Sequence, residues 1–169
     1  KNLINFSKTK KSPISIDLII SNTIKAKGLK YSNQYKIKKK ILNLKNIGIA
    51  EKRLLNLLKQ NKIQFICLAG FMKILSSKFI KQFNGKIINI HPSLLPRYKG
   101  LNTHSRAIQN KDKFTGCSVH YVTEQLDSGK IIMQKKIKIL KKDTPRSLAE
   151  KVLKQEHKLY PKAILKIFN

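Results

Sequence analysis

The stretch KIINIHPSLLP, residues 86–96, decides how this chain is read. Lys86 to Ile90 is a short apolar run with the length of a strand. Pro92 reinforces that assignment, because the residue before a proline is pushed out of helix into extended geometry. Alternate side chains of an extended segment share a face, so Asn89 and His91 project together while Ile88 and Ile90 point the other way. Further along stands Asp127, within Leu126-Asp127-Ser128-Gly129, in a chain that has only 8 acidic residues. An oxyanion donor, a proton shuttle and a carboxylate to tune it are what moving an acyl group through a tetrahedral species requires. The chain therefore reads as an enzyme.

Outward from this stretch, residues 64–69 (QFICLA) form a continuous apolar run, the pattern of a central parallel strand. Residues 14–21 (ISIDLIIS) read as a buried strand ending in a turn, and 35–42 as a weaker one. Helices are predicted for the tail 1–10, for a Lys-rich segment over 24–32, for 49–61 with Leu54, Leu55, Leu57 and Leu58 at helical spacing, and for 76–83. After a Pro/Gly-punctuated loop over 92–101 comes a helix near 103–110. Residues 117–122 and 131–139 then alternate in an antiparallel rhythm, and 144–168 is a final helix with Asp143 or Thr144 as its cap and Pro145 in its first turn. The alternation predicts an α/β fold: one domain over 1–169, with an open, mostly parallel Rossmann-like sheet, helices on both faces and an antiparallel C-terminal portion. In such sheets ligands sit beyond the carboxyl ends of strands, where both Gly70-Phe71-Met72 and Asn89-Ile90-His91 fall.

The 169 residues carry a net charge of +29, which on its own suggests a nucleic acid or an anionic surface. Arg occurs only at 53, 97, 106 and 146, however, whereas readers of phosphate and bases favour its planar fork. Lys is spread over every predicted element beside abundant Ile and Asn, as in a chain from an AT-rich genome, so nucleic acid is not the expected partner. A generic attraction for phosphorylated ligands follows either way. Cys67 and Cys117 lie in apolar runs and read as buried, reduced thiols. Nothing resembles a signal peptide or a membrane span, and a cytoplasmic setting is expected. The histidines lack ligand spacing, so no metal is expected.

Singly, each of these residues has a plainer reading. An Asn at a strand end is usually a turn former, a lone His a satisfied structural group, and Asp127 a turn residue. His104 reads as structural, and His157 beside Glu156 as a surface pair. Met72 and Leu75 read equally well as core. The string as a whole carries more than any member.

NIHPSLLPRYKG, then THSRAI, then SVHYVTEQLDSG closely resemble the phosphoribosylglycinamide formyltransferase family, the folate-dependent formyl transferases of purine synthesis. The likeness extends through LAGFMKIL and QEHKLYP and so covers most of 14–165. It implies transfer of a formyl group from 10-formyltetrahydrofolate to glycinamide ribonucleotide without a metal. Asn89 would donate to the oxyanion, His91 would be the general acid/base, and Asp127 would tune His91 and hold a relaying water. Ser118 and His120 would support them. Met72, Lys73, Ile74 and Leu75, with Asn89 and the run Thr123, Glu124, Gln125, Leu126 and Asp127, would grip the folate, largely through backbone. Gly70, Pro92 and Glu156 would contact the ribonucleotide.

Family members begin with a strand and a Gly-x-Gly-Ser-Asn-Leu loop that holds the substrate phosphate. Lys1 falls after that point, so the resemblance implies a fragment, lacking the first strand, from which little turnover is expected alone. Two other formyl-folate enzymes share part of the pattern. Methionyl-tRNA formyltransferase shares H-x-SLLP, and formyltetrahydrofolate deformylase shares HYVT and LD-x-G but has a further His where Pro92 stands. A basic nucleic-acid-binding module is the alternative of another class, yet Phe65, Phe71 and Phe79 sit in core-like contexts rather than on a stacking face.

Overall fold

The computed structural model describes residues 1–43 and 45–169, which divide into two compact units: Lys1–Phe65 with Leu75–Gly85, and Ile66–Ile74 with Lys86–Asn169.

In the first unit, α1 (Asn2–Ser7) is followed by β1 (Leu18–Ser21), α2 (Lys30–Gln34), β2 (Lys38–Ile41), α3 (Ile47–Gln60) and α4 (Ser77–Gln82). β1 and β2 pair in parallel, with Leu18 opposite Lys38 and Ser21 opposite Ile41. α3 and α4 are capped as short polar side chains cap helices: Asn46 accepts from the Ile49 amide and Ser76 from the Phe79 amide. Glu51, buried on α3, accepts from the Ser76 amide at 2.7 Å and from its hydroxyl, so one carboxylate ties α3 to the start of α4. Ile4, Leu29, Ala50, Leu58, Phe79 and Phe83 form this unit's core. The helix expected over 24–32 is instead a single 3-10 turn, Lys27–Leu29, running into α2. Gly28 lowers helix propensity at that point, and no side chain caps the turn.

In the second unit, β3 (Phe65–Leu68, whose first residue belongs to the first unit) leads to β4 (Lys86–His91), α5 (Thr103–Gln109), β5 (Phe114–Tyr121), β6 (Ile131–Lys138) and α6 (Pro145–Phe168). The strand order is β3-β4-β5-β6, with β4–β5 and β5–β6 antiparallel. Thr144 caps α6 through a reciprocal capping box with Ser147, and Pro145 sits where its missing N–H is harmless. Leu148, Val152, Leu159, Ala163 and Ile164, at steps of four, seven, four and one, bury one stripe of α6, which packs on β5 and β6.

Parallel and antiparallel pairings coexist as expected for the fold class. Among the described residues the pairings form a two-stranded and a four-stranded sheet. Periodicity reports which face a strand buries and is silent on which neighbour takes its hydrogen bonds. No helix among the described residues is long and apolar enough to cross a membrane.

One side chain ties β3 and β4 to α6. The buried Tyr160 hydroxyl lies 2.8 Å from the Leu68 carbonyl and 3.2 Å from the Ile88 carbonyl, donating from one helix to the last residue of β3 and to the middle of β4. Tyr160→Phe leaves the shape and removes the donor. It is expected to lower the unfolding free energy by about 1–2 kcal/mol. Urea denaturation reads the loss as a lower midpoint at unchanged slope; an unchanged midpoint would show the bond to be idle.

Candidate active site

The register of β4 against β5 builds the site. Asn89 stands opposite His120 and His91 opposite Ser118, while Ile88 faces Tyr121 and Ile90 faces Val119. Residues opposite one another in an antiparallel pair share a face. Asn89, His91, Ser118 and His120 therefore occupy one face, and Ile88 and Val119 enter the core on the other. The pairing of β5 with β6 is irregular between Val119 and His120, a local twist of the kind that re-aims a side chain.

Asp127 closes the set. Its Oδ2 lies 3.3 Å from His91 Nδ1 and its Oδ1 3.6 Å from His120 Nε2, so one carboxylate sits between two imidazoles. Oδ2 also accepts from the Gly100 amide at 2.9 Å. Asp127 has φ +47°, a conformation that Asp adopts more readily than most residues. Gly129, two residues on, is required by space: a Cβ there would lie 1.8 Å from the Tyr121 carbonyl oxygen.

Backbone carbonyls fix the proton positions. A carbonyl only accepts, so His91 Nε2 donates to the Tyr98 oxygen at 2.9 Å and His120 Nδ1 to the Tyr121 oxygen at 2.8 Å. Each ring thus directs its remaining nitrogen at Asp127. A hydrogen bond there requires a proton on that nitrogen. Asn89 Nδ2 lies 3.4 Å from His120 Nε2 and donates to it when that nitrogen carries a lone pair. Burial pushes the Asp127 carboxyl up. The contact with His120, the Gly100 amide and the charges of His91 and His120 outweigh burial and hold it below its ordinary range. The arrangement is an ionised carboxylate shared by two proton carriers, nearly closed to solvent, with an amide donor alongside.

Ser118 works on the loop. Its hydroxyl donates to the Ser93 carbonyl at 2.6 Å and accepts from the Leu95 amide and from Gln134 Nε2, fastening the segment after Pro92 to β5. Glu156 lies one helical turn before Tyr160 on α6 and so on the same face as the hydroxyl that reaches Leu68 and Ile88. Burial raises its carboxyl above the ordinary range. Gly70, at φ +65°, follows β3, and Met72 and Ile74 leave large apolar side chains 69% and 57% exposed. Lys73 is exposed beside them, whereas Leu75 is buried in the first unit. Thr123, Glu124, Gln125 and Leu126 form an exposed turn leading into Asp127.

Three participants escaped the sequence reading. The Tyr98 carbonyl and the Gly100 amide are backbone groups, which no residue type announces. His104, read as structural, has a buried Nδ1 without a hydrogen-bond partner, and burial together with the His91 charge lowers its pKa. Cys67 and Cys117 are free thiols, each pushed up to about 12 by burial. Among the described residues no cluster of three or more His, Cys, Asp or Glu is placed to hold a metal ion.

Asp127 also makes stability depend on pH. A carboxyl held lower in the folded chain than in the unfolded one stabilises the fold above the ordinary carboxylate range, and that contribution is lost as pH falls through the native value. The stability gap between the wild type and Asp127→Asn should be full at neutral pH and close below about pH 4. Chemical denaturation at stepped pH measures it, and a gap that persists undiminished into strong acid contradicts the assignment.

Comparison with known proteins identifies the family. Residues 1–164 match the family described as Formyl transferase. Phosphoribosylglycinamide formyltransferase of Haemophilus influenzae is 39% identical over 155 residues, which are 90% of this chain and 73% of that protein. The trifunctional purine biosynthetic protein adenosine-3 of Homo sapiens is 39% identical over 165 residues, but the chain spans only 16% of its length. The crystal structure of phosphoribosylglycinamide formyltransferase from Bacillus halodurans superposes with a TM-score of 0.94 at 32% identity, covering 99% of this chain and 88% of that one. With the family matched over nearly its whole length and its strand-end amide, imidazoles and carboxylate brought together, the chain belongs to the formyl transferase family.

Proposed function

We propose that this chain moves a formyl group from 10-formyltetrahydrofolate to the amine of glycinamide ribonucleotide, a step of purine (IMP) synthesis in the cytoplasm. The observation that supports this most is Asp127 lying 3.3 Å from His91, beside Asn89 on the same face of β4. As the acceptor nitrogen bonds to the formyl carbon, the carbonyl electron pair moves to oxygen. The Asn89 amide N–H stabilises that charge; a single such donor is worth about 2.7–4 kcal/mol in characterised oxyanion holes. Collapse breaks the bond to the folate nitrogen, which takes its proton from His91. A water held by the ionised Asp127 takes the proton shed by the acceptor amine and passes one on to His91, so the proton given to the folate nitrogen is replaced and the carboxylate ends unchanged.

The surroundings suit these substrates. Met72 and Ile74 offer exposed apolar surface for a flat ring system, and Leu126, 49% exposed, adds to it from the turn before Asp127. Lys73 and the backbone of 123–127 would complete the folate site. Gly70, Pro92 and Glu156 would face the ribonucleotide. The +29 charge draws phosphorylated and carboxylated substrates toward the surface.

Acceptor choice tests the reading. Formyl transfer, followed by the absorbance of the folate product, should be faster with glycinamide ribonucleotide than with methionyl-tRNA or water by at least about 100-fold, a margin in line with sites that hydrogen-bond their substrate. Asn89→Ala should cost roughly 100–1,000-fold in kcat. Faster hydrolysis, or a preference for tRNA, would replace this function with one of the other formyl-folate reactions.

A further inference from the structure

The reach of His91 to a backbone carbonyl depends on a turn that its own sequence does not favour. Tyr98 supplies that carbonyl at φ +55°, a left-handed conformation costly for a bulky aromatic residue unless its surroundings enforce it. The enforcement is visible. The Arg97 and Arg106 guanidinium carbons lie 5.1 and 5.0 Å from the Tyr98 ring centroid. The Tyr98 hydroxyl donates to Asp112 Oδ2 at 2.7 Å and accepts from Asn110 Nδ2 at 2.9 Å, while Arg97 holds the other Asp112 oxygen at 2.7 Å. Arg106 also donates to the Lys99 and Leu101 carbonyls at 2.8 and 3.3 Å, gripping both sides of Gly100, whose amide binds Asp127. A single exposed ion pair would matter little. Here several polar groups converge on one ring and on the carbonyls either side of Gly100.

We propose that Arg106 and Asp112 are positioning residues of the reaction: by clamping the Tyr98 side chain they set the 98–100 turn that places the His91 ring and the Asp127 carboxylate. They touch no reacting atom. Their effect passes through the Tyr98 carbonyl, which fixes the His91 proton on Nε2 and leaves Nδ1 for Asp127, and through the Gly100 amide, which orients that carboxylate. The mechanistic part rests on the formyl-transfer reading above, while the structural part does not.

The test uses the whole chain and the variants Arg106→Gln, Arg106→Lys and Asp112→Asn. Long-range nitrogen–proton NMR reports which His91 nitrogen carries hydrogen, independently of turnover. In the wild type the Nε2–H form should dominate. In Arg106→Gln and Asp112→Asn it should give way to the Nδ1–H form, because a ring no longer held by the Tyr98 carbonyl turns its proton toward the Asp127 carboxylate. Arg106→Lys should keep most of the turn through its donors to the Lys99 and Leu101 carbonyls. In assays kcat should drop on the order of 10–100-fold, with KM for both substrates changing less than about 2-fold, as a misplaced catalytic group rather than a lost substrate contact produces. A His91 tautomer unchanged in both Arg106→Gln and Asp112→Asn overturns the clamp, whatever their stability. A shifted tautomer in a chain that forms product only with methionyl-tRNA or water would retain the clamp and remove the glycinamide ribonucleotide reading.

Discussion

One buried carboxylate holds this site together. Asp127 is the common neighbour of His91 and His120, and its ionised form is what makes two ring nitrogens point inward instead of toward solvent. A carboxylate in so closed a place is costly unless hydrogen bonds and positive charge repay its lost hydration. The Gly100 amide and the two imidazoles supply that return, and each arrives from a different part of the chain. β4 brings His91, β5 brings His120, and the loop between β4 and α5 brings Gly100. The turn carrying Asp127 reaches them only because Gly129 lets it lie against the Tyr121 carbonyl, the same oxygen that accepts from His120.

Much of this was legible in the sequence, and the reason is parity. A strand has period two, so Asn89 and His91 had to share a face once 86–91 was extended, and the pairing with β5 extends that face to Ser118 and His120. The final helix was legible for a similar reason, its caps and apolar stripe being written in residue types. Elements lacking such markers were less so. The segment over 24–32 has neither cap nor clean period, and it folds as a turn and a short helix. The division into two sheets depends on which strand edges meet, a property of backbone groups common to every residue. Tyr98 and Gly100 act through those same anonymous groups. The approach of Asp127 to His91 rested on resemblance alone, since nothing in the spacing of the two dictates that a turn after β5 folds back over the end of β4.

Charge is the other lesson. A balance of 37 basic residues against 8 acidic ones invites a reading as a polyanion binder. The acids that remain are placed with purpose: Glu51 fastens two helices, Asp112 holds a tyrosine and an arginine, Asp143 binds Lys151, and Asp127 sits between the histidines. In a chain so short of negative charge, where the carboxylates stand is more informative than how many lysines surround them.

The pleat of β4 against β5 has an implication for how the molecule can vary. Sliding one strand past the other by a single position would set Val119 against Asn89 and turn His120 to the far side, taking an imidazole from the face that holds Asn89 and His91 and burying a polar ring in the core at once. Insertions and deletions in the connection through α5 are thus tolerable only where the helix absorbs them before Phe114. A lineage drifting in that connection keeps its alignment of strands or forfeits both architecture and chemistry together.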